Sequence, residues 1–541
     1  MKKIILLLVL LISLPSFAQM TPQWQNYYGV KDSLGIFPMG MVVDDSSNTY
    51  VMEEAARLTY TESPPRDPFI QKINKYGETI WIKNFGLDIS RKEFPLSIKY
   101  SSDKFLYFLC SQFDSSLWTM NLFKLNTEGN QIWKKRIGYY DYQYFQEVNL
   151  TSTGTIYSNG ASYTNGKCLY KFNPAGEIID SIFIVINNMN AGIERYNLTA
   201  DNKVFIFSEL SINDIKNSFI SFADTTHNIF WTKELNYRGN PYALQSSKDS
   251  SLYVCFYREE TLNGVVLSIY KYDYAGNLKW LKELPGPVAI NNDVLYYGYY
   301  PHILIDNDNN PVISSTMKDA QFSSTNTLAI IKLDKSTGNE LWINRVDNLI
   351  PGSNGILRNS VIDSLGNIYA CGEIITGNIY DFVILKISSS GQVLRITRNN
   401  GFLNFRYFPY HLALAKNNDL IVTGIDFNPP FWEKGATIRY SQPVNITPSG
   451  NNLPDKFSLN QNYPNPFNPS TTIIFQIPKN NFVSLKVFDI NGKEVSQLVN
   501  ENLNAGEYKI NFNGAALPSG VYYYKLTGEN FSETKKMILI K

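Results

Sequence analysis

"KINKYGETIW", residues 72–81, decides the fold, because the chain repeats the phrase along most of its length. An alternating strand arrives at Asn74, turns on Gly77 and returns to Trp81. Asn, Asp and Ser favour turns and glycine tolerates positive φ, so the phrase reads as a β-hairpin. It recurs as "KLNTEGNQIW" (124–133), "KFNPAGEIID" (171–180), "KYDYAGNLKW" (271–280), "KLDKSTGNELW" (332–342) and "KISSSGQVLR" (386–395). The glycines Gly77, Gly129, Gly176, Gly276, Gly338 and Gly391 stand 52, 47, 100, 62 and 53 residues apart. The gap of 100 holds a worn copy, "SFADTTHNIFW" (221–231), with His227 in the glycine position. Tryptophan ends five copies, and Asp180 and Arg395 replace it in the other two.

A second phrase precedes each copy: apolar strands around a polar turn, as in "MVVDDSSNTYV" (41–51), "VIDSLGNIYA" (361–370) and "ALAKNNDLIV" (413–422). There are eight such hairpins. Each unit therefore has four strands, a to d. The eighth stops after its c strand, "ATIRYS" (436–441). The missing d strand has a candidate at the other end of the chain, where "QWQNYYG" (23–29) matches "IWIKNFG" (80–86). Four-stranded units at this period predict an all-β chain built as a β-propeller with eight blades, or seven as the alternative. Pairing first and last strands would hide the sheet edges, which speaks against an open solenoid or tandem sandwiches. The tryptophan hairpins are similar to the repeat of quinoprotein-type propellers over 21–441, a likeness that implies no particular activity.

The ends set the compartment. Lys2 and Lys3, the apolar run Ile4 to Leu14 and the small residues before Gln19 predict a signal peptide, 1–18. The run is too short for the about 20 residues of a spanning helix, and no later segment is long enough. Lysine plus arginine number 49 against 48 acids, which gives no electrostatic case for nucleic acid or an anionic membrane. The cysteines Cys110, Cys168, Cys255 and Cys371 fall in separate units, three of them in b strands, so free thiols are expected. Three histidines and no CxxC weaken every metal proposal, and no metal site is assigned.

After Ser441 the composition shifts to Pro, Asn and Gly, a linker over 442–455. Residues 456–541 alternate as a small Ig-like antiparallel β-sandwich. The quoted residues "LNQNYPNPFNPSTTI" (459–473), "VFDINGKEV" (487–495), "LPSGVYYYKL" (517–526) and "KKMILIK" (535–541) resemble the type A sorting domain of the type IX secretion system. The sorting motif is carried by Asn462, Pro464, Pro466, Phe467, Asn468, Pro469, Gly492 and Gly520. The resemblance implies a translocon and a sorting peptidase as partners, with surface lipopolysaccharide as a further candidate. It implies an address that carries the protein through the periplasm to the outer surface or beyond. The prolines fix φ and keep the first segment from joining the sheet as a regular strand.

The d-to-a loops are aromatic: "GYYDYQYFQE" (138–147), "NNDVLYYGYYPH" (291–302) and "NGFLNFRYFPYH" (400–411). His302 and His411 both fall just before an a strand, with Tyr299, Tyr300, Arg406 and Tyr410 beside them. Such a set can stack on sugar rings and hydrogen-bond hydroxyls, which makes carbohydrate a candidate ligand. No GxSxG, HExxH or Walker loop is present, so no catalytic residue and no cofactor is assigned. "DNDNN" (306–310) reads as turn residues, not a calcium loop. A secreted binding or scaffold module leads, and an exported glycan-active hydrolase or lyase using loop-face carboxylates is the alternative.

Overall fold

The computed structural model describes residues 20, 22–28, 33–57, 66–86, 93–114, 117–139, 147–151, 153–162, 166–212, 215–224, 226, 228–235, 241–260, 264–286, 301–318, 326–349, 354–376, 379–399, 406–428, 432–440, 447–448, 454–479, 481–503, 505–514 and 517–540. They are all-β apart from one helical turn, Val346–Leu349. Gln19–Tyr440 forms one compact unit and the chain from Ser441 another.

In the first repeat, Ser33–Val43, Thr49–Arg57, Arg66–Ile73 and Thr79–Asn84 pair in chain order as an antiparallel meander. The same order a-b-c-d holds from Glu93–Tyr100 to Gln131–Tyr139, from Val148–Leu150 to Ile178–Ile182, from Met189–Leu198 to Ile229–Leu235, from Pro241–Ser246 to Leu278–Pro285, from His302–Ile305 to Glu340–Arg345, and from Asn354–Ile362 to Val393–Asn399. A bridge between Tyr139 and Ala161 joins the second and third meanders, and Ile184–Ile186 adds a short strand to the a strand of the fourth. The last three strands, Arg406–Leu414, Leu420–Asn428 and Trp432–Tyr440, take Pro22–Tyr28 as their fourth. Tyr28 lies opposite Gly435, and Gln25 opposite Ile438. The displaced d strand is therefore where the sequence placed it.

The repeated phrase is a docking device. Each indole Nε1–H donates to a carbonyl in the next repeat's c–d turn: Trp24 to Lys75 (2.9 Å), Trp81 to Thr127 (3.3 Å), Trp133 to Pro174 (3.3 Å), Trp231 to Tyr274 (2.8 Å), Trp280 to Lys335 (3.0 Å) and Trp342 to Ser389 (3.3 Å). The ring lies flat against the turn glycine. At Gly77, φ is +90° and a Cβ would meet the Trp24 indole at 2.7 Å, so both conformation and contact demand glycine. The lysine that opens the phrase shares the carbonyl: Lys72, Lys271 and Lys332 donate to the carbonyls of Thr127, Lys335 and Ser389 at 2.9, 2.6 and 3.0 Å.

Strand position explains the hydrophobic pattern. The c strand Asn326–Leu333 is buried at every residue, because neighbouring repeats cover both faces, whereas the outer d strand Thr79–Asn84 is exposed or intermediate throughout. Successive repeats share cores, as in the cluster of Tyr253, Cys255, Ile269 and Trp280 with Ile313, Ile331 and Leu333. Cys110, Cys168, Cys255 and Cys371 are all buried and unbridged. Burial pushes every one of these thiols up, Cys168 to about 11. Four thiols should titrate after denaturation and react slowly before it; fewer than four by mass spectrometry would mean a disulfide.

In the second unit, Thr447–Pro448, Ser458–Leu459, Ser470–Ile477 and Gly506–Asn513 make one sheet, and Asn481–Phe488, Glu494–Leu503, Gly520–Gly528 and Phe531–Leu539 another. Their alternate residues share one core around Phe475, Ile510, Leu485, Tyr524 and Leu539. One departure from the sequence concerns the linker, 442–455: Thr447 and Pro448 pair with Lys509 and Tyr508, so this sheet begins inside it. Two residues with a proline at an edge are too short to show a period in sequence.

Candidate functional site

The inner strands carry a shared irregularity. A register shift interrupts the a–b pairing between Pro38 and Gly40, Pro95 and Ser97, Ile193 and Arg195, Pro241 and Ala243, Leu357 and Asn359, and Pro409 and His411. Each inserts one residue, which bends the strand and re-aims side chains. Counting back from each a–b turn, Gly40, Ser97, Glu147, Arg195, Ala243, His302, Asn359 and His411 occupy one equivalent level. The two histidines singled out from sequence thus share a structural position, two repeats apart.

Both act across a seam between repeats. His302 Nε2 lies 3.2 Å from the Arg358 carbonyl of the next repeat. His411 hydrogen-bonds the Pro38 carbonyl, linking the last repeat to the first. Burial pushes both down to about 4; the Arg195 charge further disfavours the His302 cation, and in acid a charged His302 would do the same to His411. They are neutral at pH 7, so each gives its single N–H to its carbonyl partner and keeps the other ring nitrogen as an acceptor. Next to them, the Arg358 guanidinium lies 5.3 Å from the centre of the Tyr410 ring and donates to Glu373 Oε1 at 2.7 Å. Arg195 and Glu147 pair at 3.5 Å on the same level. Such a rim offers a cation–π plate, a fixed guanidinium and neutral imidazoles.

His302, Tyr410 and His411 are brought together in this way. Arg406 opens its strand opposite Phe427. Tyr299 and Tyr300 lie outside the described residues, as do His227 and residues 1–19. Arg358 and Glu373 were not picked out from sequence. Their only signal is that Arg358 sits one residue before the histidine level, as Tyr410 does. At "DNDNN", Asp306 accepts from the backbone N–H of Asp308 and Asn310 and binds Lys332 at 2.6 Å, so its oxygens are engaged as a turn cap.

The closing seam holds a buried acid. Glu53 is 1% exposed, its carboxyl hydrogen-bonds Tyr28, and Oε1 has no hydrogen-bond partner. The Tyr28 hydroxyl also meets Thr423 Oγ1 at 3.3 Å and Thr437 Oγ1 at 3.4 Å. Burial pushes Glu53 up to about 8. Glu54, one residue on, is paired with Arg66 and is also raised by burial.

The sorting motif divides into anchors and a display. Asn462 is buried; its backbone N–H donates to the Tyr524 hydroxyl (2.8 Å) and its amide to Thr471 Oγ1 (2.9 Å). Phe467 is 2% exposed, and its N–H donates to the Ile538 carbonyl at 2.9 Å. Its backbone meets the sheets as isolated bridges, Tyr463 to Thr472 and Phe467 to Leu539, and the Asn465 side chain accepts from the Ile538 N–H at 2.9 Å. Pro464, Pro466, Asn468 and Pro469 stay exposed, and Tyr463 is 82% exposed. Gly492 makes its turn at φ +78°, and Gly520 opens the strand that carries Tyr524.

Residues 461–541 match the family of the secretion system C-terminal sorting domain. This tail marks proteins exported by type IX secretion to the cell surface or the surroundings. Among curated proteins, none matches the chain. Solved structures similar to it include Sqt1 from Chaetomium thermophilum (8% identity, 76% of this chain and 99% of that one, TM-score 0.46). The WD40 domain of Toxoplasma gondii coronin is similar at 7% identity over 73% and 93% of the two chains, TM-score 0.39. A protein of unknown function from Dyadobacter fermentans is similar at 8% identity over 78% and 98%, TM-score 0.36.

Proposed function

We propose that the mature protein is an eight-bladed β-propeller, 19–441, joined to an Ig-like sorting sandwich, and that it serves outside the cell as a ligand-binding or scaffold module. Cleavage of a signal peptide after Ala18 precedes export. The observation that carries the propeller is the strand Pro22–Tyr28, which completes the last meander while Trp24 docks on the first. Those two contacts support a closed ring.

Carbohydrate is the ligand class we assign to the inner rim, through His302, Tyr410 and His411 with Arg358 held over the Tyr410 ring, and Tyr299, Tyr300 and Arg406 join them as candidates from the sequence alone. Stacking needs a fixed aromatic face, and a neutral histidine that gives its one N–H to a backbone carbonyl keeps its other ring nitrogen to accept from a ligand hydroxyl. A hydrolase or lyase reading needs two carboxylates that reach solvent about 5–10 Å apart. Glu53 is sealed behind Tyr28 and Glu54 is spent on Arg66, so neither supports it. The test is a glycan array probed with the mature protein and with Tyr410→Ala. Binding that falls at least tenfold in the variant supports the site; equal binding by both moves the site elsewhere, and turnover of a bound glycan would favour the enzyme.

A further inference from the structure

The outward face of the tail's second sheet is built in rows. Phe488 pairs with Tyr523, and Tyr523 with Lys536; one rung along, Lys486 pairs with Lys525, and Lys525 with Thr534; the next holds Ser484, Thr527 and Ser532. An aromatic row is thus followed by a cationic row and a hydroxyl row. Lys486 and Lys525 stand directly opposite each other, an arrangement that costs stability because strands lie only ~5 Å apart. Lys536 is a diagonal neighbour of Lys525, roughly 7–8 Å away. Glu494 takes Lys486 at 2.8 Å, but among the described residues Lys525 and Lys536 have no acidic partner, and both are exposed. Tyr523 is 39% exposed beside them.

We infer that this face is where the folded tail is read, by an acidic protein surface of the export apparatus that brings carboxylates over Lys525 and Lys536 and an apolar group over Tyr523. The inference rests on the tail being an export address. Charge complementarity selects a protein partner over an anionic lipid surface. Membrane-binding segments gather four to eight basic residues in one cluster. This tail spreads nine lysines among six acids over 456–541, and among the described residues the Lys486–Lys525–Lys536 group is the one that stands together on one face. The aromatic row next to it suits the mixed polar and aromatic composition of a protein interface.

The test uses the full chain in a host with type IX secretion. Four forms are compared: wild type, Lys525→Glu with Lys536→Glu, Lys509→Glu on the other sheet as a charge control, and a chain lacking 456–541. Surface and periplasmic amounts are read by fractionation, and melting of the purified proteins reports folding. The double variant should accumulate in the periplasm with at least a tenfold loss at the surface and an unchanged melt, while Lys509→Glu travels as wild type. Where the double variant does not fold, Lys525→Gln with Lys536→Gln replaces it, with the same direction expected. Normal export of the folded variant overturns the inference, as does equal loss with Lys509→Glu. A variant that is exported but no longer retained at the cell surface also overturns it, and favours a lipid partner. If the chain lacking 456–541 still reaches the surface, the export address itself fails.

Discussion

Removing residues 20–28 should lower the melting temperature by roughly 10 °C or more and open one seam of the ring. Every other pair of repeats is joined by the chain itself. The last meander is joined to its fourth strand by hydrogen bonds and side chains alone. That strand buries Tyr28 against Ile36, Val51, Ala55 and Phe69. Its ring also fills the space over Gly435, where a Cβ would meet it at 2.0 Å. Met20 adds a buried side chain between the last two repeats, and its N–H donates to Thr397 Oγ1 at 2.7 Å. Losing one large buried side chain costs about 3–5 kcal/mol and this deletion takes two, Met20 and Tyr28, with the half-buried Trp24, against a total of about 5–15 kcal/mol for a typical domain. Trp24→Ala alone should cost about 2–3 kcal/mol, since the indole is only partly buried. Proteolysis should then begin between the last and first repeats, whereas Trp133→Ala, with the same docking inside the continuous chain, should lower stability without favouring that seam. Equal cleavage maps for the two variants would count against closure by the N-terminal strand.

The docking pairs also explain what the sequence left ragged. Tryptophan is missing at Asp180, and the turn that would receive it is the one with His227 in place of glycine. It is missing again at Arg395, and the next repeat has no c–d turn, because the chain ends its c strand at Tyr440 and resumes at Pro22. An indole without a glycine turn to lie on would be exposed apolar surface, so both partners lapse together. The four-stranded repeats, the split meander and the tail were legible for this reason: each is written in a spaced pattern of Gly, Trp and Pro. The rim was not. A bulge adds one residue and breaks the period of two on which strand reading depends. Nothing in "GILRNSVID" tells that Arg358 will lie over Tyr410, a ring 52 residues on. The short strand Thr447–Pro448 was hidden in the same way, by length instead of irregularity.

Glu53→Gln should stabilise the protein increasingly as pH rises from 4.5 to 8 and do little below pH 4.5. The folded state holds this carboxyl protonated, since its pKa stands at about 8, while an unfolded glutamate titrates near 4.5. Below pH 4.5 both states carry the proton and the site is neutral in its effect. Between 4.5 and 8 only the unfolded chain ionises, so stability falls as pH rises, by about 1.4 kcal/mol per unit. At pH 7 that amounts to about 3 kcal/mol. Glutamine has the same shape, can hydrogen-bond Tyr28 and cannot ionise, so the loss disappears in the variant. His302 and His411 run the other way. Their folded values of about 4 lie below the usual 6.5, so the stability tied to their neutral form is complete above 6.5 and is lost as pH falls toward 4. Two histidines outweigh one glutamate where the windows overlap, so wild type should be most stable near pH 6.5, and the variant should keep the acid limb while its alkaline limb flattens. Urea melts at pH 5, 7 and 8 measure this directly. A variant whose curve runs parallel to wild type across that range would mean that Glu53 ionises normally, and that the Tyr28 seam admits water which the closed ring should exclude.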